Sequence, residues 1–141
     1  MEGRTFYKTI EHTADIGVEV EAPDKAGIFT RSALAMFDLM FGLESIDKKE
    51  KHRISAKGEN LNELLVAWLN EVLYVHAVEG LIFSGFADPD LTGDSFSAWG
   101  LGERFDPATH KGDMEIKAAT YHEVSFKQTD GMWRARIIFD V

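Results

Sequence analysis

The chain has 141 residues, 45% of them hydrophobic and 28% charged, which suits one soluble domain with one core and excludes a disordered chain. It has no cysteine, so disulfides, thiolate metal sites and cysteine nucleophiles are excluded and a reducing, cytoplasmic setting is expected. The formal charge of −9 argues against strong direct binding to nucleic-acid phosphates. No apolar run approaches the roughly 20 residues of a membrane span, and the N-terminal residues have no signal-peptide core.

Residues 6–10 have strand composition and are followed by the polar stretch EHTADIG at 11–17. That stretch reads either as a polar turn between strands or as the delivery of the Asp15 carboxylate to a site. Ile16, Val18, Val20 and Ala22 then alternate with Gly17, Glu19 and Glu21, the period of a half-buried strand. Pro23-Asp24 breaks it, and Asp24 is placed to cap a helix whose Phe29, Ala33, Met36, Phe37 and Met40 form one apolar stripe. Gly42 is placed to end that helix.

A strand is expected near residues 52–57. The second helix is marked by a capping box, with Asn60 accepting from the first turn and Glu63 reaching back. Leu61, Leu64, Leu65, Trp68, Leu69, Val72 and Leu73 follow at three- and four-residue steps. His76 continues the stripe and reads as a satisfied core or rim histidine rather than a ligand. From Gly80 onward the signals are β, at residues 81–83, 95–99, 116–126 and 133–141. Two amphipathic helices need a surface to cover, so the expected class is α+β, helices packed on antiparallel sheet. No repeat or linker marks a boundary, and residues 1–141 are expected to form a single domain.

The stretch from Asp88 to Asp94 invites comparison with a calcium loop, but the twelfth residue from Asp88 is Trp99, not a bidentate Glu. It reads as a solvated turn. Asp130-Gly131 predicts a two-residue hairpin with Thr129 opposite Met132. That register places Phe126, Val124 and His122 opposite Ala135, Ile137 and Phe139 on an apolar face. On the other face, Lys127, Ser125, Glu123 and Tyr121 oppose Arg134, Arg136, Ile138 and Asp140. Lys117, Tyr121 and Asp140 then share a face, and the main-chain carboxylate of Val141 lies beside Asp140. Two such anions repel by about 4 kcal/mol at about 4 Å with an effective dielectric of about 20. They call for a cation, Lys117 or a proton. A solvated chain end with a Lys117–Asp140 pair is the plainer reading of the spacing.

Taken in order, several of these segments resemble the archease family over nearly the full length. They are residues 11–17, the helix segment at 61–71, Gly102-Glu103 with His110, residues 116–122, and Asp140-Val141. The resemblance implies two mostly antiparallel sheets with the helical pair between them. It implies a protein that is not itself an enzyme but activates the GTP-dependent RNA ligase of tRNA splicing. Such an activator promotes guanylylation of the ligase's active-site histidine and permits repeated turnover. A divalent-cation site, usually calcium with Mg²⁺ or Mn²⁺ as alternatives, matches Asp15, Asp140 and Val141, and a functional lysine matches Lys117. GTP enters through the partner ligase. His12, Thr13, Tyr121, Glu103 and His110 are candidate supporting groups around that site.

A cation held by Asp15, Asp140 and a main-chain oxygen of Val141 would be a hard, oxygen-only site. It would also relieve the repulsion at the chain end. Two other classes remain open on the residues alone. One is a metal-dependent hydrolase using Asp15, Asp140 and His12, His110 or His122, which lacks any dense ligand motif. The other is a general chaperone or modulator with a structural cation.

Overall fold

The two helices form where the apolar stripes predict them. In the computed structural model, which describes residues 6–12, 15–112 and 114–141, α1 spans Lys25–Phe41 and α2 spans Leu61–Glu79. The Asp24 carboxylate accepts the Gly27 N–H at 2.7 Å, and Gly42 closes α1 at φ 79°. Asn60 accepts the Glu63 N–H at 2.9 Å. Glu63 reaches back one residue further than a capping box requires, to the Glu59 N–H at 3.2 Å. Gly80, at φ 69°, ends α2 in the left-handed region, where a glycine carries no Cβ penalty.

Among the described residues seven strands surround the helices: β1 (Tyr7–His12), β2 (Asp15–Ala22), β3 (Glu50–Lys57), β4 (Leu81–Thr92), β5 (Ser95–Arg104), β6 (Ala118–Thr129) and β7 (Met132–Asp140). They form a four-stranded sheet in the order β1-β2-β7-β6 and a three-stranded sheet in the order β3-β5-β4. Every pairing is antiparallel. Helix α1 packs on β2 of one sheet and β4 of the other, and α2 on β6 and β3, so the helices form the middle of three layers.

Aromatic side chains carry the core through all three layers. Phe29 of α1 stacks on Phe96 of β5 at 4.6 Å and meets Phe126 of β6 at 5.9 Å. Trp68 of α2 is fully buried, and its indole N–H donates to the Phe29 carbonyl at 2.8 Å, joining the helices. Burial of each such ring is worth about 1.5–3 kcal/mol by the area removed from water. His76 is satisfied, with Nδ1 3.0 Å from the Leu81 carbonyl and its ring edge-on to Phe37 and Phe41. Among the described residues no helix is long and apolar enough to cross a membrane.

Two expectations are corrected. The segment starting at Asp88 is not a turn but the end of β4, which runs to Thr92; the turn is at Gly93-Asp94. A bulge between Ala87 and Asp90, with Asp88 at φ 53°, accommodates Pro89, which has no N–H to give a ladder.

The second correction concerns the last hairpin. Asp130 and Gly131 adopt φ 54° and 79°, and pairing runs as expected from Thr129–Met132 to Ser125–Arg136. Pairing then resumes only at Thr120–Ile138, so residues 121–124 oppose Ile137 alone, with Glu123 turned into the left-handed region at φ 56°. Ala118 and Ala119 therefore oppose Asp140 and Phe139, the places expected for Tyr121 and His122. Tyr121 is 59% exposed, and His122 lies in solvent 3.3 Å from Glu123. Glu123 meets Arg136 rather than Ile138. The straight register would have driven an imidazole into the core against Phe139; the bulge puts a methyl group there instead.

Candidate functional site

Asp15 is the first residue of β2 and Asp140 the last residue of β7, and the two are direct cross-strand partners. Cβ atoms of opposed residues lie about 5 Å apart, and like charges so placed are destabilising. Asp15 is half-buried and Asp140 exposed. The EHTADIG stretch spans the end of β1 and the start of β2. Its ends belong to strands, His12 opposite Asp15, and it sets the Asp15 carboxylate at the sheet end. Thr13 lies outside the described residues, as does the side chain of His12.

Moving inward along the sheet, the next row is Gly17–Ile138–Thr120. Ile138 is 1% exposed although it points away from the helices, because it lies across Gly17. A Cβ on Gly17 would sit 2.9 Å from Ile138 Cδ1, the far end of that side chain, which would have to shift to admit it. This apolar row supplies no cation to the aspartates. The row beyond is an ion-pair ladder across all four strands: Lys8–Glu19 at 3.4 Å, Glu19–Arg136 at 3.0 Å and Arg136–Glu123 at 3.4 Å. The Arg136 hydrogen bond, followed by Lys8, holds the Glu19 carboxyl below the usual carboxylate range. Arg136 is therefore engaged with its own acids.

Lys117 reaches Asp140 through the backbone: its N–H donates to the Asp140 carbonyl at 2.8 Å. Its side chain is exposed, and among the described residues no ion pair joins it to Asp140, so the tethering pair expected from spacing is absent. Asn70 fixes this corner from below. Its side-chain amide donates to the Ala119 carbonyl at 3.1 Å and accepts the Ala119 N–H at 2.8 Å. Both backbone groups lie on the outer edge of β6, where among the described residues no strand pairs them. Sequence reasoning missed this role; the signal was an amide in the middle of a helix, flanked by the buried Leu69 and Val72.

Glu103 and His110 belong to a different cluster, on the three-stranded sheet. One Glu103 oxygen accepts the Asp47 N–H at 2.8 Å and pairs with His110 Nε2 at 2.9 Å, and the other lies 3.4 Å from Lys49. His110 Nδ1 accepts the Asp106 N–H at 2.9 Å, which places the ring proton on Nε2. The Asp47 N–H first, then His110 and Lys49, hold the Glu103 carboxyl below the usual carboxylate range. These two residues lock the 103–110 segment to the chain before β3, with the helical layer between them and Asp15. Tyr121 stands on the bulge, one residue beyond the Gly17–Ile138–Thr120 row.

The donors at the sheet end suit a hard cation: two carboxylates from facing strands and the neighbouring main-chain oxygens, with no nitrogen or sulfur required. Among the described residues no three His, Asp or Glu side chains gather to hold a metal, so main-chain oxygen and water would complete such a shell.

Comparison with known proteins converges. Residues 7–141 match the sequence model of the Archease protein family (MTH1598/TM1083). Protein archease of Pyrococcus abyssi is 36% identical over 139 residues, covering 96% of this chain and 98% of that one. Protein archease of Pyrococcus furiosus is 37% identical over 139 residues, with the same coverage. The solution structure of protein 1598 of Methanobacterium thermoautotrophicum superposes with a TM-score of 0.82 at 30% identity, covering 96% of this chain and 99% of that one. The crystal structure of an archease from Thermotoga maritima, described as a possible chaperone, shares the fold at a TM-score of 0.64 and 21% identity, covering 100% of this chain and 99% of that one.

Proposed function

Since the chain belongs to the archease family, we propose that it acts as a non-enzymatic activator of the GTP-dependent RNA ligase of tRNA splicing. In this reading it promotes guanylylation of the ligase's active-site histidine and restores the ligase for further turnovers. The observation that carries the reading is the cross-strand pair Asp15–Asp140 at one end of the four-stranded sheet, with Lys117 hydrogen-bonded beside it. Two carboxylates opposed across neighbouring strands bring hard oxygen donors together at one point, which supports a role in binding.

Asp15, Asp140 and a main-chain oxygen of Val141 would hold a divalent cation, with Ca²⁺ favoured by an all-oxygen, partly exposed site and Mg²⁺ or Mn²⁺ as alternatives. When bound, the cation supplies positive charge for phosphate or carboxylate oxygens of the ligase–GTP complex. Lys117, exposed beside it, extends that charge toward the nucleotide phosphates or a ligase carboxylate. Asn70 and Gly17 keep the two strand ends in place, the first by gripping Ala119 and the second by seating Ile138.

The test is guanylylation of the ligase with GTP, with and without this protein, across Ca²⁺, Mg²⁺ and Mn²⁺. Faster and repeated guanylylation is expected, and its loss in folded Asp15→Ala and Asp140→Ala variants. Wild-type stimulation by both variants would overturn the reading. A pull-down separates it from the general chaperone, since one ligase should dominate the captured proteins rather than many clients.

A further inference from the structure

The two outward faces of the molecule differ in how their cations are held. On the four-stranded sheet Lys8, Arg134 and Arg136 each face a glutamate within 3.5 Å. The three-stranded sheet is different. Its outward rows bring Lys51 opposite Leu101, Arg53 opposite Trp99 and Lys57 opposite Ser95, while the stem of Lys48 lies over Gly85. Among the described residues none of these four cations makes an ion pair. Of the carboxylates in its rows, Asp90 on the far strand accepts the Thr92 hydroxyl, and Glu103 at the other end is taken up by Lys49, the Asp47 N–H and His110.

Trp99 sits in the middle of this face, partly exposed and flanked by small neighbours, with Ala87 opposite it on β4. Lys51 Nζ lies 4.7 Å from the Trp99 ring centroid and Arg53 Cζ 5.7 Å from a Trp99 ring centroid. Arg53 is steadied by a 2.8 Å hydrogen bond to Ser97 Oγ. A chain with 24 acidic and 15 basic residues has thus set four cations without an ion pair on one face, two of them against its indole.

We propose that this face binds single-stranded RNA directly, one base stacking on Trp99 while Lys48, Lys51, Arg53 and Lys57 take the flanking phosphates. Stacking needs an accessible π-face with cations at backbone distance, and a sheet surface provides both. Lys51 covers the ring without being tied to any carboxylate, so a base displaces it onto a phosphate at little cost. Arg53, held by Ser97, keeps its guanidinium beside the indole as a second stacking surface. The net charge of −9 does not forbid this, because local distribution and not the total decides such contacts. It does weaken them, and binding should be modest and steeply dependent on salt. The face lies across the helical layer from Asp15 and Asp140, so the inference stands independently of the ligase reading.

The test uses the full chain and a dye-labelled single-stranded RNA ten-mer, followed by anisotropy at low and moderate salt. Binding should weaken with salt at a log–log slope of about −2, as expected for roughly three neutralised phosphates on a single strand. Trp99→Leu should weaken it about tenfold, the loss of one stacked base. Lys51→Glu with Arg53→Glu should abolish it, whereas Lys8→Glu on the other sheet should leave it unchanged. These side chains are at the surface, and unfolding curves that match the wild type establish that the variants are folded. An acidic peptide of equal charge that binds as tightly as the RNA, and equally to Trp99→Leu, would overturn the proposal in favour of a protein partner. Absence of RNA binding at low salt would also overturn it.

Discussion

Replacing Asn70 by alanine removes the side chain that satisfies Ala119 on the free edge of β6 near the candidate site. Two hydrogen bonds are lost, at 3.1 and 2.8 Å, and Ala119, only 4% exposed, is left with an orphaned N–H and an orphaned carbonyl. Each orphaned buried group costs about 1–3 kcal/mol, while alanine recovers roughly 0.6 kcal/mol of helix propensity over asparagine. A net loss of about 1.5–5 kcal/mol follows, a large part of the roughly 5–15 kcal/mol that holds a domain together. Urea unfolding of wild type and Asn70→Ala, compared at equal m-value, measures it directly. Asn70→Asp is the sharper control. It keeps the acceptor for the Ala119 N–H but sets a carboxylate oxygen against the Ala119 carbonyl, so at neutral pH it should fare no better than alanine. Either variant unfolding within about 0.5 kcal/mol of wild type would refute the reasoning, because that is the scatter of an inert surface substitution.

Other outcomes follow from the same geometry. Glu103 has a folded carboxyl pKa below its ordinary value of 4.5, so its contribution is fully present above that value and is lost as pH falls through the lower folded one. Urea midpoints of wild type and Glu103→Gln should therefore differ at neutral pH and converge in acid; a constant gap would contradict the assignment. Gly17→Ala should cost about 1 kcal/mol, the low end of overpacking, because the atom displaced, Ile138 Cδ1 at 2.9 Å from the new Cβ, is the far end of its side chain. Adding Ile138→Val, which removes that atom, should recover part of the loss in a double-mutant cycle. Simple additivity of the two single losses would mean that the contact is not the source of the cost.

Local order was readable in the sequence wherever a period or a cap announced it. The stripes from Phe29 to Met40 and from Leu61 to Leu73, and the caps at Asp24 and Asn60, depend on neighbours within one or two turns. So does the Asp130-Gly131 turn. The bulge at 121–124 was not readable, because alternation there looks continuous and a glutamate carries no signal for the left-handed region that Glu123 occupies. What fixes it is tertiary: Asn70 on Ala119 and the exclusion of His122 from the core. Pro89 and its aspartates read as a turn for the opposite reason, since a bulge lets a strand absorb residues that normally end one.

The facing of Asp15 and Asp140 lies 125 residues apart in sequence and becomes visible only through the β2–β7 pairing. In the sequence the family resemblance alone linked them. The basic face around Trp99 was hidden by the net charge of the whole chain. It needs β3 beside β5 to bring Lys51 and Arg53 to the indole.

The opposed aspartates are tested most directly by divalent-cation titration of the folded protein, read as the thermal unfolding midpoint. A cation bound only by the native state stabilises it by about 2.7 kcal/mol at a hundred times its Kd. Wild type should rise in midpoint with Ca²⁺, Mg²⁺ or Mn²⁺, and Asp140→Asn should not. In cation-free buffer Asp140→Asn should be at least as stable as wild type, because the facing charge at Asp15 is no longer opposed by a second one. A wild-type midpoint unmoved by any of the three ions, or an equal rise in Asp140→Asn, would contradict a cation site at this pair.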